Sequence, residues 1–149
     1  MEDLEKVFGE KEQHDYFTMI PHLIDDSALT PYAFRLYVHL CRVVGQGGKC
    51  WQSTETLAAA CHMSDSTVVR AKKELAQTMV NGKPLIIIVP IGGISPGRAY
   101  HTIYVNSVWE VNHKKYAKKE VVFNPKIIPG VLTKEYQSFC EKLQVSVTA

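Results

Sequence analysis

The spacing of apolar positions changes along the chain, and each change marks an element. From Ala33, apolar residues recur at Leu36, Tyr37, Leu40, Cys41 and Val44. That is the period of a helix with one wide buried face, and it leaves Arg35, His39 and Arg42 on the other side. Thr30-Pro31 opens this helix, threonine as N-cap and proline where its missing N–H costs nothing. Gly45 ends it, Gly47-Gly48 mark a loop, and residues 49–52 leave room for a very short strand. Ser53 then caps a second helix whose narrow apolar stripe is Leu57, Ala58 and Cys61. His62-Met63 break it. Ser64 caps a third helix, with Asp65 at the positive end of the helix dipole. Val68, Ala71 and Leu75 point inward on this helix, while Ser66, Thr67, Arg70 and Lys73 face solvent.

Beyond Leu75 the helical period continues to about Met79 or Val80, where Asn81-Gly82 forms a strong turn signal. Residues 85–90 (LIIIVP) are a continuous β-branched run, the pattern of a buried strand. A Gly/Pro loop follows at 91–98 and ends on Arg98; residues 99–105 then alternate polar and apolar as the return strand. The order is therefore helix, short strand, helix, turn, capped basic helix and β-hairpin. A helix-turn-helix followed directly by a hairpin is a winged helix.

The flanks carry weaker patterns. Residues 1–15 are charged, poor in apolar content and expected to be mobile. Residues 16–24 turn apolar around Pro21 and are expected to pack along the domain in extended form, with 25–29 a short link or a single helical turn. Residues 107–120 read as a further helix around Trp109 and Tyr116, with Lys114, Lys115, Lys118 and Lys119 as a positive cluster. That cluster suits either a solvated face or a phosphate-binding arm. Residues 121–130 read as a linker with Pro125 and Pro129, and 133–143 as a last short helix with Leu132, Tyr136, Phe139, Cys140 and Leu143 as its stripe. This helix must dock on the body or on a second subunit. The expected division is an acidic N-terminus over 1–15, a winged helix-turn-helix over 16–106 and a C-terminal helical arm over 107–149, a mainly α fold with a small β-hairpin (α+β).

Composition narrows the function classes. At 46% apolar and 21% charged residues the chain fits a soluble globular protein, and no apolar run nears the ~20 residues that cross a bilayer. The acidic start lacks the features of a signal peptide, so a cytoplasmic location is expected, with no membrane partner. The net charge of +2 conceals an asymmetry: residues 1–26 hold eight acids against two lysines, and the remainder carries a net +8. A body of that sign favours a polyanionic partner. Cys41, Cys50, Cys61 and Cys140 show no paired spacing, and Cys61-His62 lacks a second ligand pair, so no metal, cofactor or disulfide is expected. The six histidines are scattered and no phosphate-cradling loop, nucleophile elbow or HExxH occurs, so the chain is not expected to be an enzyme.

The hydroxyls at the start of the third helix, with Arg and Lys one and two turns on, are the groups that meet phosphates and base edges. Residues 16–105 resemble the winged helix-turn-helix domains of replication-initiation and primosome-type proteins of phages and mobile elements of Gram-positive bacteria. The resemblance is carried by FTMIP at 17–21, LTPYAFRLYVHL at 29–40, GKCWQSTETLA at 48–58 and MSDSTVVRAKKEL at 63–75. The last stretch also resembles the recognition region of GntR-type repressors. The resemblance implies double-stranded DNA as partner, contacted by Ser64, Ser66, Thr67, Arg70 and Lys73, with Arg98 in the wing. Ser53 and Thr54 at the amino end of the second helix, and Lys114 and Lys115 in the arm, complete the expected contact set. The chain departs from the repressor pattern at Asp65 and Val69, where basic residues are common, and at His62, where glycine is usual. Those departures leave room for a winged helix that binds protein, with a second copy or replication proteins as partners.

Overall fold

The computed structural model describes residues 15–45, 47–90, 101–117 and 133–143. The acidic N-terminus up to residue 14, the loop at 91–98 with Arg98, the 121–130 linker, and Lys118 and Lys119 lie outside them. A single helical turn, α1 (His22–Asp25), precedes the long helix α2 (Pro31–Val44). Thr30 caps α2, its hydroxyl accepting from the Ala33 N–H at 3.4 Å. Ala33, Leu36, Tyr37, Leu40 and Cys41 are buried as the period requires. The chain then doubles back closely at Gly48, where a Cβ would lie 2.4 Å from the Val44 carbonyl oxygen, and enters β1 (Lys49–Cys50).

Helices α3 (Thr54–Cys61) and α4 (Asp65–Gln77) follow, both with the expected serine caps. Helix α4 stops at Gln77, short of the Met79 or Val80 that periodicity suggests. The N–H and hydroxyl of Thr78 both donate to the Glu74 carbonyl, at 3.0 and 2.8 Å, and close the helix. Met79 and Val80 then become β2 (Met79–Val80), paired with β3 (Lys83–Pro84) across Asn81-Gly82, whose φ angles of +50° and +80° are those of a two-residue hairpin turn. Strands β4 (Ile86–Pro90) and β5 (His101–Val105) run antiparallel from Ile86↔Val105 to Pro90↔His101, and β1 adds to the other side of β5.

Two flanking expectations change. Tyr16, Phe17 and Met19 are exposed instead of packed along the domain, and the helical turn falls at α1 instead of 25–29. Pro21 starts that turn, and Leu23 and Ile24 are the residues that enter the core. The last two helices are α5 (Trp109–Tyr116) and α6 (Lys134–Lys142). Helix α5 lies against α1: Asn112 accepts from the Leu23 N–H at 2.8 Å, and the Tyr116 hydroxyl donates to the Asp26 carboxylate. Helix α6 docks on the body. Tyr136 and Cys140 are fully buried, and the Ile88 N–H donates to the Tyr136 hydroxyl oxygen at 3.1 Å. Helices α2, α3 and α4 over the β1-β5-β4 sheet make an α+β winged helix-turn-helix, with α6 packed behind it.

Candidate nucleic-acid interface

The geometry of the helix-turn-helix is set by backbone closure at His62. This residue takes the left-handed conformation (φ 56°, ψ 47°). Its N–H donates to Ala59 at 3.4 Å and the Met63 N–H to Ala58 at 3.1 Å, the paired bonds that end a helix sharply. Arg35 of α2 donates to the Ala60 carbonyl at 3.3 Å and so grips the end of α3. The N–H and hydroxyl of Thr30 both donate to the Glu74 carboxylate, at 2.8 and 3.1 Å, and tie the start of α2 to α4.

The amino end of α4 gathers its polar groups. The Ser64 hydroxyl accepts from the Thr67 N–H at 3.2 Å and lies 3.1 Å from the Ser66 hydroxyl and 2.8 Å from that of Thr67. Arg70 reaches back to the Thr67 hydroxyl at 3.5 Å. Ser64, Ser66 and Arg70 are exposed, and Thr67 and Lys73 half-buried. Neither Arg70 nor Lys73 has a carboxylate partner among the described residues. Asp65 and Val69 are exposed on the same helix.

Ser53 and Thr54 stand at the amino end of α3. The Ser53 hydroxyl caps the helix, accepting from the Thr56 N–H at 3.2 Å. The Thr54 hydroxyl accepts from Lys72 at 3.1 Å. Lys72, which no periodicity of the helix singles out, is only 6% exposed. Burial lowers its pKa from the ordinary lysine value. At the root of the wing, burial and then the charge of Lys72 hold His101 below the ordinary histidine value. Sequence reasoning also passed over Trp51, which is 60% exposed beside the Ser53 cap with the Lys49 ammonium 4.9 Å from its ring centre. An aromatic residue next to a cap, where no apolar period needs it, was the available signal.

Lys114 and Lys115 lie apart from this group, on α5. The Lys114 ammonium is 3.0 Å from the Glu110 carboxylate, four residues back on the helix, and Lys115 is 3.9 Å from Asp26. That hydrogen bond and charge hold the Glu110 carboxyl below its usual value. The two lysines expected to seek phosphate are thus engaged with carboxylates of the chain itself. Arg98 lies outside the described residues.

A capped basic helix set on a short helix through a sharp turn, with a hairpin behind, defines a helix-turn-helix protein. Residues 27–78 match the family described as a helix-turn-helix domain. The match runs from the approach to α2 through the end of α4 and stops before β2 and the wing. No curated protein and no solved structure matches the chain. Among the described residues, no helix is long and apolar enough to cross a membrane.

Proposed function

We propose that the chain binds double-stranded DNA with α4 as the reading helix, and that it serves replication initiation or transcription regulation in a phage or mobile element. The observation that carries the DNA reading is the row of Ser64, Ser66, Thr67, Arg70 and Lys73, whose two cations meet no carboxylate of the described chain. With the amino end of α4 in the major groove, the serine hydroxyls and free helix N–H groups meet phosphate, and Arg70 reaches a guanine edge or backbone. Asp65 is repelled by phosphate but accepts from a cytosine amino group, so it confers selectivity at the cost of affinity. The replication or regulatory role rests on the family resemblance of residues 16–105 alone.

Fluorescence anisotropy with duplex DNA at several salt concentrations tests the reading. Arg70→Ala/Lys73→Ala is expected to weaken binding more than about tenfold and to flatten the log–log salt slope by roughly 1 to 2, near 0.9 for each phosphate neutralised. Binding by the double variant equal to that of the unaltered chain would sink α4 as reader. One observation favours a second reading, a protein-interaction module. Trp109 and Tyr116 on α5 are partly exposed, and a cleft of about 360 Å³ lined by His22, Trp109, Asn112 and Tyr116 opens between α1 and α5. A second copy of the chain or a replication protein is the occupant this reading calls for, and a chain that ignores duplex but self-associates would favour it.

A further inference from the structure

Lys72 sits in α4 between Ala71 and Lys73, yet it points beneath the surface that its neighbour Lys73 helps to form. The residue is 6% exposed, and its single hydrogen-bond partner among the described residues is the Thr54 hydroxyl, at 3.1 Å. No carboxylate of the described residues pairs with it. A buried ammonium with one neutral partner destabilises a fold, since most of its hydration is lost and little replaces it. A methionine would fill the same volume without that loss. The residue therefore asks for a reason other than stability.

The directionality of the hydrogen bond supplies one. An ammonium has three donors and no acceptor, so Thr54 must accept through its oxygen, and its own O–H proton has to point elsewhere. Thr54 is half-exposed at the first position of α3, where the backbone N–H groups of the first turn have no helical acceptor. The neighbouring Ser53 hydroxyl is already engaged with Thr56 as the helix cap. What α3 shows outward at this point is a set of donors. A base edge offers donors and acceptors, whereas a phosphate offers acceptors only. Glu55, exposed one position further on, brings the opposite charge, so the sign of this seat depends on the ammonium underneath.

We infer that Lys72 is a positioning residue for DNA: from beneath the surface it fixes the Thr54 hydroxyl as an outward donor to a backbone phosphate at the amino end of α3. This rests on the DNA-binding reading and adds to the expected contact at Thr54 the buried lysine that orients it. It also links that contact to the root of the wing, where His101 lies within the field of Lys72.

The test uses the full chain, with duplex affinity by anisotropy and thermal melting measured side by side on Lys72→Met, Thr54→Val, Thr54→Ser and the Lys72→Met/Thr54→Val pair. Lys72→Met is expected to melt at the same temperature as the unaltered chain or higher, while its affinity falls about tenfold. Thr54→Val should lose a similar factor, Thr54→Ser should keep near-full affinity because it retains the hydroxyl, and the double variant should be no weaker than either single one. If the unaltered chain binds and Thr54→Val or Lys72→Met binds equally well, or if their losses multiply in the double variant, the positioning role is overturned and α4 remains the reader. If Lys72→Met fails to fold, the Val/Ser comparison at surface position Thr54 still decides the role of the hydroxyl. Absence of duplex binding by the unaltered chain overturns this inference together with the DNA reading.

Discussion

His62 shows how one residue sets the geometry of the motif. Its positive φ is a conformation that costs an L-residue about 1–2 kcal/mol, and glycine adopts it without that cost. His62→Gly is therefore expected to raise the unfolding free energy by about 0.5–1 kcal/mol, since part of the gain is returned to the more flexible unfolded chain. Urea denaturation midpoints measure this directly, and an unchanged or lower midpoint would show that the imidazole itself stabilises the turn. Residues whose role is local were legible in the sequence for the same reason that His62 was. Thr30, Ser53 and Ser64 each cap a helix through an N–H three residues on, so neighbouring sequence contains both partners. Lys72 was not legible, because its partner Thr54 comes from another helix and its burial depends on packing that no local pattern encodes. The carboxylates beside Lys114 and Lys115 were not legible either: a count of positive charges does not show that Glu110 and Asp26 stand next to them.

At the scale of elements, the helices and the hairpin followed from periodicity, while the small ribbon of β2 and β3 did not. Met79 lies four residues beyond Leu75 and extends the apolar stripe of α4 perfectly well. The helix ends two residues earlier, at Gln77, because Thr78 closes it on Glu74, and the Asn81-Gly82 turn then gives β2 a partner. The docking of α6 was equally open in sequence, since an apolar stripe does not say what covers it. Tyr136 answers that question by satisfying an N–H on the outer edge of β4. Burial, more than any other cause, pushes its hydroxyl up to about 12. Because the folded value lies above the ordinary 10, the folded state holds this proton more tightly than the unfolded chain does. The associated stability, about 2–3 kcal/mol, is complete below pH 10 and is lost as pH rises from 10 towards 12. Lys72 works in the opposite sense, its burial penalty fading as pH climbs through its lowered value towards 10.5. Tyr136→Phe isolates the first effect. Denaturation midpoints between pH 9 and 12 should fall less steeply in this variant, at a cost of about 1–3 kcal/mol near neutrality for the unpaired Ile88 N–H. Parallel pH profiles for the two chains would contradict the assignment.

For the molecule as a whole, the matched stretch and the folding unit are different lengths. Residues 27–78 contain the reading helix and its support, but Leu75 and Ala76 are buried in a core completed by Leu85, Ile86 and Ile103 from the wing and by Tyr136 and Cys140 from α6. Ending the chain after residue 132 is expected to lower stability by about 3–5 kcal/mol, the range for removing a large buried aromatic residue. It should also make light scattering rise with concentration, because β4 is then an open sheet edge. A truncated chain that melts like the full one and stays monomeric would show α6 to be dispensable.

The bond between Ile88 and Tyr136 has a further consequence in time. A separation of 48 residues lies between its two partners. On a ribosome adding about 5–20 residues per second, the edge of the wing is synthesised roughly 2–10 seconds before the side chain that covers it. Throughout that interval the nascent helix-turn-helix carries an unsealed strand that any neighbouring chain can extend. Translation speed between codons 88 and 136 thus sets how long each new molecule is exposed to misassembly, and slow codons there would lengthen the most vulnerable moment of its synthesis.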